Sequence, residues 1–444
     1  MQQAPRQFSD VRPVAAPAVS RLERFGLWLR DHQSLIGRLQ WAMVAVYLPL
    51  LIVPALVPAP APGATILTDL TRFAQFLFWG LWLPGVLVSV VLFGRLWCGL
   101  LCPEGALTAA ASRHGKGWAI PRWMKWPGWP FALFAGVTVY GQMVSIYDEP
   151  RAALLILGGS SACALLVGWL YGKEKRVWCR FLCPVNGMFG LLSKLAPMHY
   201  RVDGRAWDAC PPARTRTMRF NCEPMVPVRT MDSASPCHMC GRCAGFRDAV
   251  RLEARAAGAE IVRGRGSAGD SLMALVGVLG IGSAAFWWQA VPWGPDPARG
   301  PVAPWFLFGH GPDAPAVTLL AGGAGLLTLA LIALALAAAV ALPLWASARL
   351  AGGGVALFHR LALAVLPLAA AGIVAGLTRR TVAQLADSGL AVSAGPVWAA
   401  LLLGGGLWAL WLAHGVLGQR RAALAVFAVA LTPPLAGWGA LLWA

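Results

Sequence analysis

Ten cysteines stand in this 444-residue chain, and their spacing repeats. Arg95-Leu-Trp97-Cys98-Gly-Leu-Leu101-Cys102-Pro103 returns as Arg176-Val-Trp178-Cys179-Arg-Phe-Leu182-Cys183-Pro184. Residues four apart share one face of a helix, so both thiols of a pair can address one metal centre. Proline after the second cysteine ends regular pairing and lets the chain fold away. Gly99 and Gly105 permit close backbone approach in the first copy. Together Cys98, Cys102, Cys179 and Cys183 supply the four thiolates of a four-iron cluster. Arg95, Lys175, Arg176 and Arg180 lie where they offset its negative charge. A zinc ion is the alternative occupant of the same thiols, and two pairs of buried free cysteines are the alternative without a metal.

A second constellation follows at Cys237-x2-Cys240-x2-Cys243. Three cysteines so spaced form the core of the bacterial ferredoxin run C-x2-C-x2-C-x3-C-P, but Arg247 occupies the fourth position here. In two-cluster ferredoxins the fourth cysteine of each run serves the other cluster, so an upstream residue must complete this set. Cys222, in Asn221-Cys222-Glu223-Pro224, resembles the end of such a run, and Cys210 is the competing ligand. Zinc is again the non-redox alternative. Cys163 lies among Ala, Ser and Leu in an apolar run and reads as a small packing residue.

The elements that position these cysteines are membrane helices. Hydrophobic residues make up 58% of the chain and charged residues 13%, against about 45–50% and about 25% in soluble domains. A water-soluble enzyme is thereby excluded, and so is disorder over most of the length. Apolar runs lie at 39–58, 73–93, 128–147, 152–171, 271–291, 316–345, 353–377, 393–417 and 422–443. These predict about nine transmembrane helices in an all-α integral membrane protein, the sixth long enough to tilt. Residues 1–38 lack a signal-type apolar region and read as a cytoplasmic arm. The net charge of +18 collects in that arm, in 94–127, in 172–270 and near Arg349 and Arg420–Arg421. The positive-inside rule then puts the N-terminus and both cysteine sets in the cytoplasm and the C-terminus in the periplasm. Arg379 and Arg380 break the pattern by falling on the outer side. The excess charge suits anionic lipid at a bilayer surface, and no nucleic-acid partner is implied. The chain divides into the arm 1–38, a duplicated four-helix half 39–194, a cytoplasmic ferredoxin-like iron–sulfur insert 195–268 and a C-terminal half 269–444 of about five helices.

At Gly94-Arg95-Leu96-Trp97-Cys98-Gly99-Leu100-Leu101-Cys102-Pro103, its repeat at 176–184 and the insert beyond, the sequence resembles a membrane polyferredoxin family. That family is typified by NapH, MauN and the membrane part of NosR, and the resemblance covers residues 39–265. It implies [4Fe-4S] clusters that relay electrons at the bacterial inner membrane for quinol-linked enzymes, enzyme maturation or metal handling. Two departures stand out: one ferredoxin-type cluster remains in the insert instead of two, and a second membrane half is added. The overall layout is similar to the FtrD-like polyferredoxin that accompanies ferrous-iron permeases.

The expectation is therefore two [4Fe-4S] clusters passing electrons between a cytoplasmic or quinol donor and a membrane or periplasmic redox partner. Alternatives are a redox accessory of ferrous-iron uptake and a non-redox zinc-binding assembly factor. No nucleophile or carboxylate pair marks an independent catalyst. Residues 271–443 carry almost no intramembrane charge, which argues against an ion-coupled transporter. His359 and His414 there suit either the axial ligands of a haem b or interfacial side chains. Gly322-Gly323-Ala-Gly325 and Gly404-Gly405-Gly406 read as helix-packing sites. His114, His199 and His238 lie near the cysteines but fit the ligand pattern less well, and His310 falls in an outer loop.

Overall fold

The computed structural model describes residues 19–211, 220–290 and 315–443, with the side chains of 315–321 excepted. His310 and most of the arm lie outside the described residues. Ser20 opens α1 (Arg21–Asp31), its hydroxyl accepting the Glu23 amide at 3.0 Å. The next helix is α2 (Gln33–Leu56), followed by α3 (Leu70–Phe93), whose cap Asp69 accepts the Arg72 amide at 2.9 Å. Gly94, at φ 64°, reverses the chain into two short helices, α4 (Leu96–Leu100) and α5 (Pro103–Arg113). After α6 (Trp129–Met143) and α7 (Pro150–Tyr171) comes a second short pair, α8 (Val177–Phe181) and α9 (Asn186–Leu192). The insert contains a two-stranded antiparallel ribbon, β1 (Met198–Val202) and β2 (Val250–Ala254), with Met198 opposite Ala254 and Val202 opposite Val250. Five helices complete the chain: α10 (Ala268–Trp287), α11 (Pro315–Leu350), α12 (Val355–Asp387), α13 (Gly395–Leu417) and α14 (Arg421–Trp443).

Eight helices among the described residues have the length and apolar content to cross a membrane, so this is an all-α multi-pass membrane protein. The third apolar run differs from the expectation of nine equivalent spans. It forms only α6, 15 residues or about 22 Å of helix, against about 30 Å of hydrocarbon. Its first turn lies against Gly187. At its other end Gln142 accepts the Trp288 indole N–H at 3.2 Å, and the Asp148 carbonyl in the following turn accepts from Gln75 at 2.6 Å. Helix and turn together make the traverse. The sixth run becomes the 36-residue α11, well beyond bilayer length.

The two membrane halves share one core, centred on α12, whose apolar window is 94% buried. Small residues on its surface let neighbours approach closely, the usual source of stability where lipid supplies no hydrophobic drive between helices. Gly372 and Gly376 receive the fully buried Trp438 of α14, and a Cβ at Gly372 would overlap its indole. Gly405 of α13 lies where a Cβ would be 3.0 Å from the Pro367 carbonyl, whereas Gly404 has no neighbour within 4 Å. Towards the first half, Thr381 donates to the Gly80 carbonyl of α3 at 3.1 Å. Arg380, one of the two residues that broke the charge pattern, pairs with Asp148 at 3.0 Å and lies 4.6 Å from the Tyr147 ring centroid.

The insert is tied down on two sides. Met198, Tyr200, Val250 and Leu252 turn inward from the ribbon. Gly26 of α1 packs on them, and a Cβ there would lie 3.0 Å from Leu252. Arg255 donates to the Ala196 carbonyl at 2.8 Å and pairs at 2.7 Å with Glu260, which also accepts the Ala234 amide at 3.0 Å.

Gly372→Leu is expected to destabilise the protein by about 1–3 kcal/mol through overpacking against Trp438. Gly404→Leu, facing open space, is expected to change stability by no more than about 0.5 kcal/mol. Unfolding of both variants in one detergent checks the contrast, and equal losses would remove α12 from the centre of the packing.

Candidate metal centre

The repeated motif folds as a re-entrant hairpin. Helix α4 turns back along α3, bringing Trp97 within 5.6 Å (centroid to centroid) of Trp82, midway along that helix. The amides of Leu101 and Cys102 both bond the Trp97 carbonyl, at 2.9 and 3.0 Å, and α4 stops there. In the second copy Leu182 and Cys183 bond the Trp178 carbonyl at 2.8 and 3.0 Å. The sequence repeat is thus a repeat of one hydrogen-bond pattern. It corrects the expectation that each cysteine pair shares a helix face. Proline disfavours helical dihedrals in the residue before it, so Cys102 takes φ −64° and ψ 118° and becomes the N-cap of α5. Its sulfur accepts the Gly105 amide at 3.4 Å.

The two copies meet. Cys102 lies within electrostatic reach of Cys98 and Cys179, and Cys183 within reach of all three. Cys98 and Cys179 are buried, and Cys102 and Cys183 are partly buried. Glu104 reaches into the same region, accepting from the Trp178 indole at 3.2 Å.

Helix α2 records the depth of each site. Gln33 donates to the Cys240 carbonyl at 2.9 Å, Gln40 to the Gly99 carbonyl at 2.7 Å, and the Tyr47 hydroxyl lies 3.1 Å from Ser161, within electrostatic reach of Glu104 and Cys102. Seven residues of helix rise about 10.5 Å. The sites therefore lie in series along α2. The sequence places both C-x3-C-P motifs where the spans emerge; in the structure the first draws Cys102 to the level of Tyr47 and Ser161, near the middle of α2 and α7.

In the insert, Cys237, Cys240 and Cys243 gather with Cys222. Burial pushes Cys237 up to about 12 and Cys243 well above the usual thiol range, and charge on Cys240 and Cys222 adds to both. The Val226 amide points to the Cys222 sulfur and the Met239 amide to that of Cys237, each at 3.4 Å. The Cys210 sulfur lies 3.9 Å from the carbonyl of the next residue, Pro211. His238 is buried between the ligand positions, and burial together with Arg95, Arg176 and Arg180 holds its pKa well below the ordinary value.

The two sites abut. A Cβ on Gly99 would run into the His238 carbonyl and lie 3.0 Å from the Cys240 Cα. Arg176 spans the junction: it is 3% exposed, donates to the Cys98 carbonyl at 3.2 Å and forms an ion pair with Glu223, the residue after Cys222. Arg242 joins the same carboxylate at 2.7 Å. Among the described residues no three His, Cys, Asp or Glu side chains converge on a single ion. The donor chemistry, the amides aimed at sulfur and the buried arginines all fit an anionic iron–sulfur group.

Other expected residues are not gathered. His359 Nδ1 lies 2.8 Å from the Ser271 hydroxyl, His414 is exposed on α13, and neither lines a described cavity. Cys163 is exposed on α7, so it is not the interior packing residue its neighbours suggested. Sequence reasoning missed Gln33, Gln40, Tyr47, Glu104 and Glu223. A signal was present for the first three, polar groups seven residues apart where the chain turns apolar.

Arg176→Met is expected to cost about 3 kcal/mol by leaving Glu223 buried with one partner fewer. Adding Glu223→Gln to the same chain is expected to recover part of that loss. Unfolding of both variants checks it, and strictly additive losses would mean that the two charges do not act together.

A family model described as a 4Fe-4S binding domain matches residues 75–121 and 154–202, one match on each copy of the motif. Two curated proteins are similar over 36% of this chain. YccM, a candidate electron transport protein of Escherichia coli (strain K12), is 24% identical over 191 residues, 51% of its own length. The ferredoxin-type protein NapH of Haemophilus influenzae is 26% identical over 178 residues, 61% of its own length. The chain thus spans about half to three-fifths of the relatives it matches. No solved structure matches. In its duplicated half, this chain is similar to NapH and YccM and matches a 4Fe-4S binding domain on each copy of the motif.

Proposed function

We propose that the protein is a membrane-bound electron-transfer component holding two [4Fe-4S] clusters in series. Cys98, Cys102, Cys179 and Cys183 hold the first; Cys222, Cys237, Cys240 and Cys243 hold the second, with Cys210 outside the set. The observation that carries this reading is the contact between two cysteine quartets through Gly99 and the His238–Cys240 backbone. Bound clusters supply one-electron chemistry, with potentials set by hydrogen bonds to sulfur, nearby charge and burial. The chain's own residues determine those levers: Gly105, Val226 and Met239 present amides, and Arg176 and Arg95 place positive charge between the sites.

The two sites face different surroundings. Beside the first, a cavity of about 540 Å³ is lined by Trp82, Trp97, Leu100 and Leu101, suited to an apolar carrier such as quinol in the bilayer. The second belongs to the insert, where a soluble or membrane protein partner can dock. Electrons then pass between a quinol or cytoplasmic donor and a further redox protein, in the bacterial inner membrane with the insert on the cytoplasmic side.

Anaerobically purified protein is expected to contain about eight iron and eight sulfide per chain and to give an EPR signal after dithionite. Cys98→Ser and Cys237→Ser should each remove one cluster, Cys222→Ser should act like Cys237→Ser, and Cys210→Ser should leave both. Loss of both clusters from any single change would break the partition of ligands, and zinc in place of iron would overturn the redox reading.

A further inference from the structure

Beside the junction of the two cysteine sites lies a second cavity, which shares only Arg95 with the electron-transfer reading. It measures about 390 Å³ and is bounded by the start of α6, by α8 and α9, by the Ser235–Pro236 turn of the insert and by the first turn of α10. Arg95 and Arg180 both line it. Arg95 is 3% exposed; one terminal nitrogen donates to the Ser235 carbonyl at 2.9 Å, and its Nε has no acceptor. Among the described ion pairs neither arginine has a carboxylate. Asp270 also lines the cavity, but it pairs with Lys194 at 3.0 Å. Two guanidinium groups therefore face one space, repelling each other, with a buried donor unmatched. A buried donor without a partner costs about 1–3 kcal/mol, and an arginine pair suits an oxyanion better than any other ligand class.

The walls narrow the ligand further. Phe131, Leu272 and Met273 give the cavity an apolar side beside the first turns of α6 and α10, which suits the acyl chains below a phospholipid headgroup. Asn186 adds an amide on the polar side. The geometry points to a binding site for a phosphate group between Arg95 and Arg180, carried by a phospholipid headgroup or free in solution. This assignment does not depend on the direction of electron flow or on the redox partner. An anion held there adds negative charge beside both cysteine sites, so its binding lowers the potential of the neighbouring iron–sulfur groups.

The test uses the full-length holoprotein with its EPR signal intact. Its unfolding midpoint is measured in nanodiscs of phosphatidylcholine alone and with phosphatidylglycerol, and in detergent with sodium phosphate against sodium chloride at equal ionic strength. A rise only with phosphatidylglycerol identifies the headgroup as the source, and a rise with phosphate identifies the free ion. Asn186→Asp puts a carboxylate in the cavity in place of the amide that donates to the Arg180 carbonyl at 3.2 Å and keeps both guanidinium groups, and Arg180→Gln removes one of them. Each is expected to weaken the effect about tenfold, and the potential measured by EPR titration should fall with the bound anion in the wild type only. No midpoint shift in the wild type under any of these conditions overturns the site. So does a shift of the same size in both variants, which would leave the arginines serving the iron–sulfur charge alone. Should Arg180→Gln lose its EPR signal, the wild-type comparison and Asn186→Asp still decide.

Discussion

The absence of a side chain at position 99 is the constraint on which the arrangement turns. Only because Gly99 has no Cβ can the helix between Cys98 and Cys102 rest directly on the backbone of the Cys237–Cys243 loop. Everything nearby serves that approach. Gln40 ties the Gly99 carbonyl to α2, Gln33 ties the Cys240 carbonyl to the same helix seven residues earlier, and Arg176 crosses the junction to Glu223. A ferredoxin-like loop and a membrane hairpin thereby become neighbouring sites on one rigid support, the geometry that short-range electron exchange requires.

Burial and charge pull against each other at this junction. Thiols enclosed by protein resist ionisation, as the raised values of Cys237 and Cys243 show, yet metal binding needs thiolates. The buried arginines relieve that conflict. Burial, with Arg95, Arg176 and Arg180 beside it, holds the His238 pKa well below the ordinary value. Glu223 then limits the positive field by holding Arg176 and Arg242 together. Such a network is costly to leave partly satisfied, which accounts for so many charged side chains at one place in a chain otherwise poor in charge.

The C-terminal half contributes packing to this design. Its central helix α12 presents glycines to the Trp438 indole and to α13, and threonine to α3. The duplicated half thereby gains a wall that a four-helix unit alone would lack. Arg380, which disturbed the charge pattern along the chain, bonds Asp148 across the boundary between the halves. Its position reflects a tertiary partner rather than a rule about loops.

Much was legible in the sequence because local chemistry decides it. Spans of about twenty apolar residues must be helices, since lipid leaves no other way to satisfy the backbone. Repeated C-x3-C-P units and the C-x2-C-x2-C run mark candidate donors by spacing. Spacing cannot report depth or neighbours. Whether a motif ends a span or dives back beside it depends on Gly94 reversing the chain and on Trp97 packing against Trp82. Whether Cys222 or Cys210 stands beside Cys243 depends on how the insert folds around β1 and β2, not on distance along the chain. The sequence by itself determined the kind of protein and the candidate donor atoms, through patterns that act over a few residues. Only the tertiary structure decided that the two cysteine sites touch, because that contact joins residues about 140 apart through one missing side chain and one buried ion pair.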